Sequence, residues 1–446
     1  MDPSSVIRSR QFVVLLLIAA VVGLVVSFAA WGFLELVHQI QVGVFDDLPR
    51  ELGYDDGAPL WWYLPVLGLA GLVAAAAIVR LPGTGGHLPA EGLKTGVTQP
   101  VEVPGVVLAA LASIGLELVL GPEAPLIALG GGLAILTVRL ARRDAPQEVL
   151  TVVAAAGAFA ALSMIFESPL IAAVILIEAT GLGGPRLPLV LLPGLLAAGI
   201  GSLISIGMGS WTGLSTSAYS LPALSLAAFD RPDLGDFGWT ILLAMAVAVV
   251  AFFVFSLARA LVGVVTARPF LLLPAAGLLV AGLGIAFDEA AGKGVDQVLF
   301  SGQDALEPLV SNPDAWSLSA LALVILFKGL AYSVSLAGFR GGPVFPALFL
   351  GAAGGLMAAR LPGFETTPAV AVGMGAAVVA VLRLPLAAVV LGTVLTSKAG
   401  LGASPLIIVG VVVAYLVTEL LSSGAASEER PQAAEEPRPA AAASAS

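Results

Sequence analysis

Apolar residues run in long stretches along most of the chain, and glycine, proline or short polar segments separate these stretches. The clearest long stretches are 12–36, 60–79, 238–265 and 318–337. Each is long enough to cross about 30 Å of hydrocarbon as an α-helix. The first stretch lacks a small-residue cleavage site and is too long for the apolar core of a signal peptide, so we predict a retained helix there. The pattern predicts an all-α protein that crosses a membrane many times.

Other apolar segments in the middle of the chain are too short for a full crossing, because glycine or proline interrupts them. Broken backbone at membrane depth is tolerated only where protein buries it or where it lines a wet cavity. Such segments are typical of a transport site.

The composition agrees with this pattern, since 58% of the residues are hydrophobic and only 11% are charged. Soluble proteins carry about a quarter charged residues. We therefore predict a multi-pass protein of the cell membrane. The chain has no cysteine, which excludes disulfides and thiolate metal sites. No basic and aromatic pattern suggests nucleic acid, and we expect no cofactor and no metal.

Basic residues predict the orientation in the membrane. Arg8 and Arg10 precede the first apolar stretch, and the loop 139–148 carries three arginines. By the positive-inside rule both segments are cytoplasmic. The C-terminal end is rich in Ala, Pro and Glu and has no large apolar residues to fold around. We divide the chain into a cytoplasmic N-terminus, a membrane domain and a disordered cytoplasmic tail: 1–10, 11–422 and 423–446.

Two pairs of segments resemble each other in the same order. GPEAPLIALGGG from residue 121 resembles GGPVFPALFLGAAGG from residue 341. FESPLIAAVILIEATGLGG, 166–184, shares a Pro-Leu-x-Ala core with VLRLPLAAVVLGTVLTSKAG, 381–400. Membrane proteins with internal repeats often place the substrate where the halves meet. The pattern predicts two repeats, about 60–206 and 238–421.

Three glycine- and proline-rich segments predict helix starts that face an anion. Pro122 ends one helix and Pro125 suits the first turn of the next. Free N–H groups near Glu123 and Ala124 would then point along a helix dipole that favours anions. The same argument predicts a helix from about Val344. A third candidate is the glycine-dense segment 81–93.

Glu123 lies at one of these helix starts, inside an otherwise apolar run. A carboxylate at an anion-selective helix terminus competes with the anion, so Glu123 can act as a gate that protonation controls. The alternative is a capping carboxylate near the bilayer surface that gates nothing. Glu117, six residues earlier, is interpreted as a structural carboxylate with a local partner.

The ordered motifs resemble those of the CLC family of chloride channels and transporters. GPEAP resembles its GREGP motif, GTGGHLP stands in place of GSGIP, GGPVFP resembles GxFxP, and ESPL stands in place of an NAPL-like segment. The resemblance spans about 11–422. It implies an all-helical fold with two inverted-topology repeats and broken, tilted helices, in a homodimer with one pore per subunit. It assigns Glu123 as the gate and places the anion-binding residues at Thr84, Gly85, Gly86, His87, Ala124, Val344 and Phe345.

The departures from the family motifs concern the same site. Pro122 replaces the arginine of GREGP. The serine of GSGIP falls on Gly86 or on Thr84, of which only Thr84 carries a hydroxyl. His87 can donate an N–H to an anion, or it can have only a capping or structural role in the loop. Val344 stands where GxFxP has phenylalanine, with Phe345 one place later.

The family's inner proton-handling glutamate falls on Ala179 here. Glu178 precedes it by one residue, which on a helix is a rotation of about 100°. Glu178 is therefore the candidate for a proton path if there is one. The family's anion-coordinating tyrosine has no clear counterpart, because Tyr415 lies inside an apolar segment and is interpreted as packing. No CBS domains are found in the sequence.

Other charges near the apolar segments receive simple interpretations. We expect Lys328 and Arg383 to form pairs or to extend toward the interface. Arg340 precedes GGPVFP and either attracts anions or is a plain loop charge.

The leading interpretation is transport of chloride or a similar anion, by a channel or an uncoupled pathway because of Ala179. The alternative is a chloride/proton antiporter or a fluoride-selective exchanger. An intramembrane enzyme is disfavoured because no GxSxG or HExxH motif occurs. A structural scaffold would not need broken helices around a buried glutamate. The partners are small anions, lipid and a second copy of the chain, which would pack through segments near 168–206 and 384–421.

Overall fold

The computed structural model describes residues 7–55, 57–93, 96–181, 184, 187–212 and 220–428. These residues form helices joined by turns and by irregular segments such as 220–233, and no strand longer than an isolated bridge occurs among them. The fold is therefore all-α, as the sequence predicts. Most of the predicted tail, 429–446, and residues 1–6 of the predicted N-terminus lie outside the described residues.

In the described part of the first half of the chain, seven α-helices are longer than two turns. They are α1 (Arg10–Gln41), α2 (Tyr63–Arg80), α3 (Val103–Ile114), α4 (Glu123–Ala141), α5 (Gln147–Phe166), α6 (Pro169–Thr180) and α7 (Leu187–Thr212). A π-helical stretch, Val42–Asp47, and one further helical turn, Leu48–Glu51, continue α1.

Among the described residues of the second half, from 220 to 428, there are eight α-helices. They are α8 (Leu234–Ala267), α9 (Pro269–Ala291), α10 (Gln303–Ser311), α11 (Leu318–Gly338), α12 (Val344–Ala358), α13 (Thr366–Leu382), α14 (Pro385–Leu395) and α15 (Ser404–Glu428). The last helix includes residues 423–428, which the sequence pattern assigned to the tail.

Nine of the helical segments in the described residues are long and apolar enough to span a membrane. The four predicted long stretches fall within α1, the segment Leu60–Arg80, α8 and α11. The interrupted apolar segments form shorter helices, and these include α3, α6, α12, α13 and α14. The protein is thus a multi-pass membrane protein in which full-length and broken helices pack together.

Side chains at the helix starts explain several boundaries locally. Ser9 accepts a hydrogen bond from the amide of Phe12 at 3.1 Å, and Ser317 accepts one from the amide of Ala320 at 3.1 Å. Asp233 begins α8 with a reciprocal capping box. Each such cap satisfies an amide that has no partner within its own helix.

The two halves pack their helices in the same pattern. In the first half α5 packs against α1, α4, α6 and α7, and in the second half α13 packs against α8, α12, α14 and α15. Glycines allow the closest of these contacts, because a Cβ at Gly130 would lie 2.5 Å from the carbonyl oxygen of Gly157. Gly351 and Gly373 meet in the same way in the second half. In this packing α1 takes the place in the first half that α8 takes in the second, and the repeat bounds of about 60–206 and 238–421 stay a prediction.

The helix breaks also correspond between the halves. Glu167 ends α5 at φ +47° and Arg383 ends α13 at φ +56°, and each precedes a short helix that begins with proline. The second pair of similar segments therefore has the same local structure, which supports the duplication read from the sequence.

Candidate anion site

The starts of α4 and α12 face each other through one antiparallel bridge. The amide of Gly121 donates to the carbonyl of Gly342 at 2.7 Å, and the amide of Gly342 donates back to Gly121 at 2.5 Å. The two glycines occupy equivalent positions in the similar segments, one residue before the proline of each. Reciprocal bonds between equivalent residues indicate a local two-fold relationship between the repeats.

Close to this bridge, two serine hydroxyls each accept a hydrogen bond from a backbone amide of the other repeat. Ser335, near the end of α11, accepts from the amide of Val119 at 3.2 Å. Ser113, near the end of α3, accepts from the amide of Arg340 at 3.1 Å. Each serine thus binds the segment that leads into the other repeat's broken helix, and the two segments hold each other in place.

Glu123 lies at this junction with its side chain 1% exposed. Its Oε1 accepts a hydrogen bond from the amide of Phe345 at 3.1 Å, in the first turn of α12. Its Oε2 has no hydrogen-bond partner among the described residues. The carboxylate of the first repeat therefore lies at the amide end of a helix of the second, the end at which the helix dipole favours negative charge.

The glycines of the bridge leave the room that this carboxylate occupies. A Cβ at Gly121 would lie 2.6 Å from Oε1 of Glu123, and a Cβ at Gly342 would overlap its Oε2. Glycine is therefore needed at both positions, because the Glu123 carboxylate lies where a Cβ would be.

Aromatic side chains complete the surroundings of Glu123. The ring of Phe345 stacks on that of Phe166 with centroids 5.8 Å apart. The hydroxyl of Tyr332 in α11 donates to the carbonyl of Pro343 at 2.7 Å, and Tyr332 is close enough to Glu123 for an electrostatic interaction. Sequence reasoning missed Tyr332. The available signal was a lone tyrosine in an apolar helix just before the glycine-proline segment.

The glycine-dense segment lines a separate cavity of about 290 Å³. Thr84, Gly85, Gly86 and His87 contribute to its wall together with Ala124 of α4. The structure therefore brings five of the predicted anion-binding residues into one cavity. The other two, Val344 and Phe345, lie at the start of α12.

Arg340 joins this cavity from the second repeat. Its guanidinium is buried, with Nε donating to the carbonyl of Thr84 at 3.2 Å and Nη1 donating to the carbonyls of Gly338 and Phe339. A buried cation in the wall of a cavity differs from an ordinary loop charge. Arg340 both fixes the glycine-dense segment and brings positive potential to the cavity.

Glu178, the candidate for a proton path, binds the other repeat. Its two carboxylate oxygens accept from the amides of Leu386 at 2.9 Å and Ala387 at 2.7 Å, in the first turn of α14. This is the geometry of a helix cap supplied from outside the helix. Ala179 packs beside the core, as does Tyr415. A proton path through Glu178 stays a prediction.

Two of the remaining charges have partners in the structure. Arg383 pairs with Glu419 at 3.1 Å, as expected. Lys328 neither pairs nor extends toward the interface. Its buried ammonium donates to four successive carbonyls, those of residues 297–300, at 3.1 to 3.3 Å, and lies 4.5 Å from the ring centre of Phe349. The four carbonyls come from a turn that the sequence could not place next to α11.

Glu117 also differs from its predicted environment. Its side chain is completely buried, and neither carboxylate oxygen has a hydrogen-bond partner among the described residues. The local partner expected for a structural carboxylate is therefore missing. Glu117 has a left-handed backbone conformation, with φ +69°, and its side chain lines another cavity.

Comparisons with known proteins agree with this architecture. The family model described as voltage gated chloride channel matches residues 70–419. YfeO of Escherichia fergusonii, a protein named as an inferred ion transporter, is 30% identical over 356 residues, which cover 78% of this chain and 80% of YfeO. YfeO of Escherichia coli strain SE11 matches to the same extent.

Solved structures share the fold at lower identity. A slow cyanobacterial Cl⁻/H⁺ antiporter superposes with a TM-score of 0.70 at 22% identity, over 91% of this chain and 94% of its own. A CLC-type fluoride/proton antiporter superposes with a TM-score of 0.64 at 17% identity, over 92% of this chain and 96% of its own. These likenesses establish the fold.

Proposed function

Because the chain belongs to the voltage gated chloride channel (CLC) family, we propose that it carries chloride or a similar small anion through one pore in each subunit, with Glu123 as the gate. The observation that supports the gate is the hydrogen bond from the Phe345 amide to the Glu123 carboxylate. A carboxylate held at a helix N-terminus of the other repeat occupies the position of an anion.

The gate works by competition. While Glu123 is ionised and bound to α12, its charge and volume exclude a second anion from the junction. When the side chain takes up a proton or swings away, the amide of Phe345 becomes available to the transported anion. The unpartnered Oε2 is the atom to which the proton would add.

The cavity at Thr84–His87 is proposed as a second stop for the anion. Its wall combines the glycine-dense backbone with the start of α4 and the guanidinium of Arg340. Backbone amides and one buried cation attract an anion, while the hydrogen bonds of Arg340 to three carbonyls temper its charge. An anion that binds moderately at such a site can also leave it.

We propose a channel or an uncoupled pathway, because Ala179 carries no proton and Glu178 is engaged in capping α14. A proton-coupled exchanger of chloride or fluoride is the second candidate. It is supported by the unpartnered oxygen of Glu123 and by the two antiporters that share the fold.

The same proposal includes a cytoplasmic N-terminus and a homodimer. Exposed apolar side chains on α7, α14 and α15 offer a surface for a second copy, and they include Leu203, Ile206, Leu386, Leu416 and Leu420. No catalytic chemistry is proposed, in keeping with a family of transporters and channels.

Reconstitution into liposomes with an imposed anion gradient tests the function. Anion and proton movement are recorded together for the native chain, for Glu123→Gln, and for Glu148→Gln, which makes the same change at an exposed position in α5. Anion flux without proton movement supports the uncoupled pathway, and proton movement lost in Glu123→Gln supports the exchanger. Absence of chloride and fluoride flux in the native chain contradicts the proposed function.

A further inference from the structure

A second cavity, of about 510 Å³, lies at the far end of α1 from the N-terminus. Its wall includes the imidazole of His38 and the phenol of Tyr63. It also includes five carboxyl groups, those of Asp46, Glu117, Asp288, Asp296 and Asp304. We call it the acidic cavity. In a protein that transports anions, a cavity with this charge would repel the substrate. It therefore requires a different ligand.

Glu117 forms the buried end of the acidic cavity. Asp46, Asp296 and Asp304 reach the surface, although neighbouring residues partly desolvate Asp296 and Asp304. Both oxygens of Glu117 lack a hydrogen-bond partner among the described residues. Its backbone is held on both sides, since its N–H donates to the carbonyl of Ile114 at 3.2 Å and its carbonyl accepts from the amide of Phe300 at 3.1 Å. The side chain therefore cannot easily turn away from the cavity.

An ionised carboxylate in this position is strongly disfavoured, because burial removes its water and no donor replaces it. Lys328 lies on the far side of the turn that carries Phe300, but its ammonium is already bound by four carbonyls. A cation or a proton must therefore compensate Glu117.

The geometry favours a proton over a metal ion. Within the described residues, no group of three or more histidine or carboxyl side chains is placed to hold a metal. We propose that Glu117 is a proton-binding site, loaded through the acidic cavity and distinct from the anion site at Glu123.

The groups around Glu117 are consistent with loading from the surface. Burial raises the pKa of Asp296 and of Asp304 above the ordinary aspartate value. The charged and titratable groups that face Glu117 from the packed elements are His38 of α1, Asp46 after α1, Tyr63 of α2, Asp288 of α9, Asp296 in the turn after α9, Asp304 of α10 and, behind that turn, Lys328 of α11. The negative groups concentrate protons in the cavity and make release from Glu117 harder.

The site has a direct structural connection to the gate. Only three residues separate Glu117 from Gly121, whose bridge to Gly342 positions Glu123. The state of Glu117 therefore acts on the segment that carries the proposed gate. With the N-terminus in the cytoplasm, the acidic cavity faces the outside, and the proton comes from there.

Infrared difference spectroscopy of the full-length protein in liposomes tests the proposal without any need for anion flux. We expect a carbonyl band of a protonated carboxylic acid that shifts in D₂O, disappears on titration to alkaline pH, and is absent in Glu117→Gln. The band should persist in Glu123→Gln and in Glu148→Gln. A chain that moved no anion would still show it, so failure of the proposed function and failure of this site are distinguishable.

Asp296→Asn provides a second, independent variant that leaves Glu117 intact. Removing one neighbouring negative charge should lower the pH midpoint of the band, because a like charge nearby disfavours the ionised carboxylate. A spectrum of Glu117→Gln that keeps every carboxylic-acid band of the native chain, or a midpoint unchanged in Asp296→Asn, overturns the proposal. So does a band that responds to Na⁺ or K⁺ at constant pH, since that response indicates a metal-ion site.

Discussion

The amide of Phe345 donates a hydrogen bond of 3.1 Å to the carboxylate of Glu123, although 222 residues separate them along the chain. One repeat thus supplies the helix end and the other supplies the negative charge that covers it. Removal of the Glu123 side chain would break this contact, so the proposed role of Glu123 can be measured directly.

Replacing Glu123 with alanine should increase anion affinity. A hydrogen bond to a charged group contributes about 1.5–3 kcal/mol. Without the competing carboxylate, the Kd for the transported anion should therefore fall roughly tenfold or more. Isothermal titration of the detergent-solubilised chain with chloride and with fluoride measures the change. Glu148→Gln should bind as the native chain does. Equal affinities in Glu123→Ala and the native chain would argue against a carboxylate that occupies the anion position.

Replacing Gly342 with alanine should destabilise the protein through Glu123. The added Cβ overlaps the carboxylate, and overpacking of this kind costs about 1–3 kcal/mol. The melting temperature should fall in Gly342→Ala and recover most of the loss in the double variant with Glu123→Ala. Gly282→Ala in α9, whose Cβ would meet nothing within 4 Å, is the control. If Gly342→Ala lowered the melting temperature equally in the native chain and in Glu123→Ala, the added Cβ would clash with a group other than Glu123.

Lys328→Met should strongly reduce stability. The change leaves the four carbonyls of residues 297–300, which are buried or partly buried, without their donor, and breaking a buried charged network costs about 3–5 kcal/mol. Thermal unfolding in detergent measures it, with the exposed Lys398→Met as the matched control. A small shift, similar to that of the control, would mean that the turn does not depend on Lys328.

Variants of Glu178 separate a capping residue from a proton carrier. If Glu178 caps α14, Glu178→Ala should cost about 1 kcal/mol of stability, while proton movement in liposomes stays as it is in the native chain. If Glu178 carries protons instead, Glu178→Gln should abolish proton movement and leave the melting temperature nearly unchanged.

The stability of the protein should fall as the pH rises from the ordinary aspartate range. Burial raises the pKa of Asp296, which lies in the turn between α9 and α10, so the folded state holds more protons than the unfolded state above the ordinary aspartate pKa. Stability therefore decreases as the pH rises through this window. Melting temperatures between pH 4 and neutral pH, roughly the range in which carboxyl groups titrate, should show the slope. Asp296→Asn should flatten it, and an unchanged slope would assign the effect to other groups.

The sequence by itself determined the elements and their breaks. Long apolar runs can only be helices in a bilayer, since every backbone polar group must be satisfied within the segment. Pro122 and Pro343 mark the ends of irregular segments, because proline has no N–H to donate within a helix and is tolerated only at a helix start. The predicted start of α12 at Val344 is confirmed, and the repeated glycine-proline pattern indicated that the two starts are equivalent.

The environment of each charged side chain was decided only by the tertiary structure. Glu123 finds its donor 222 residues away, and Glu178 binds amides more than 200 residues away. Glu117 and Lys328 lie on either side of the turn at 295–300, yet of these two side chains only that of Lys328 has hydrogen-bond partners among the described residues. A sequence shows which residues can carry charge at membrane depth. Whether such a charge caps a helix, binds carbonyls or stays without a partner depends on which distant backbone the fold brings within about 3 Å of it.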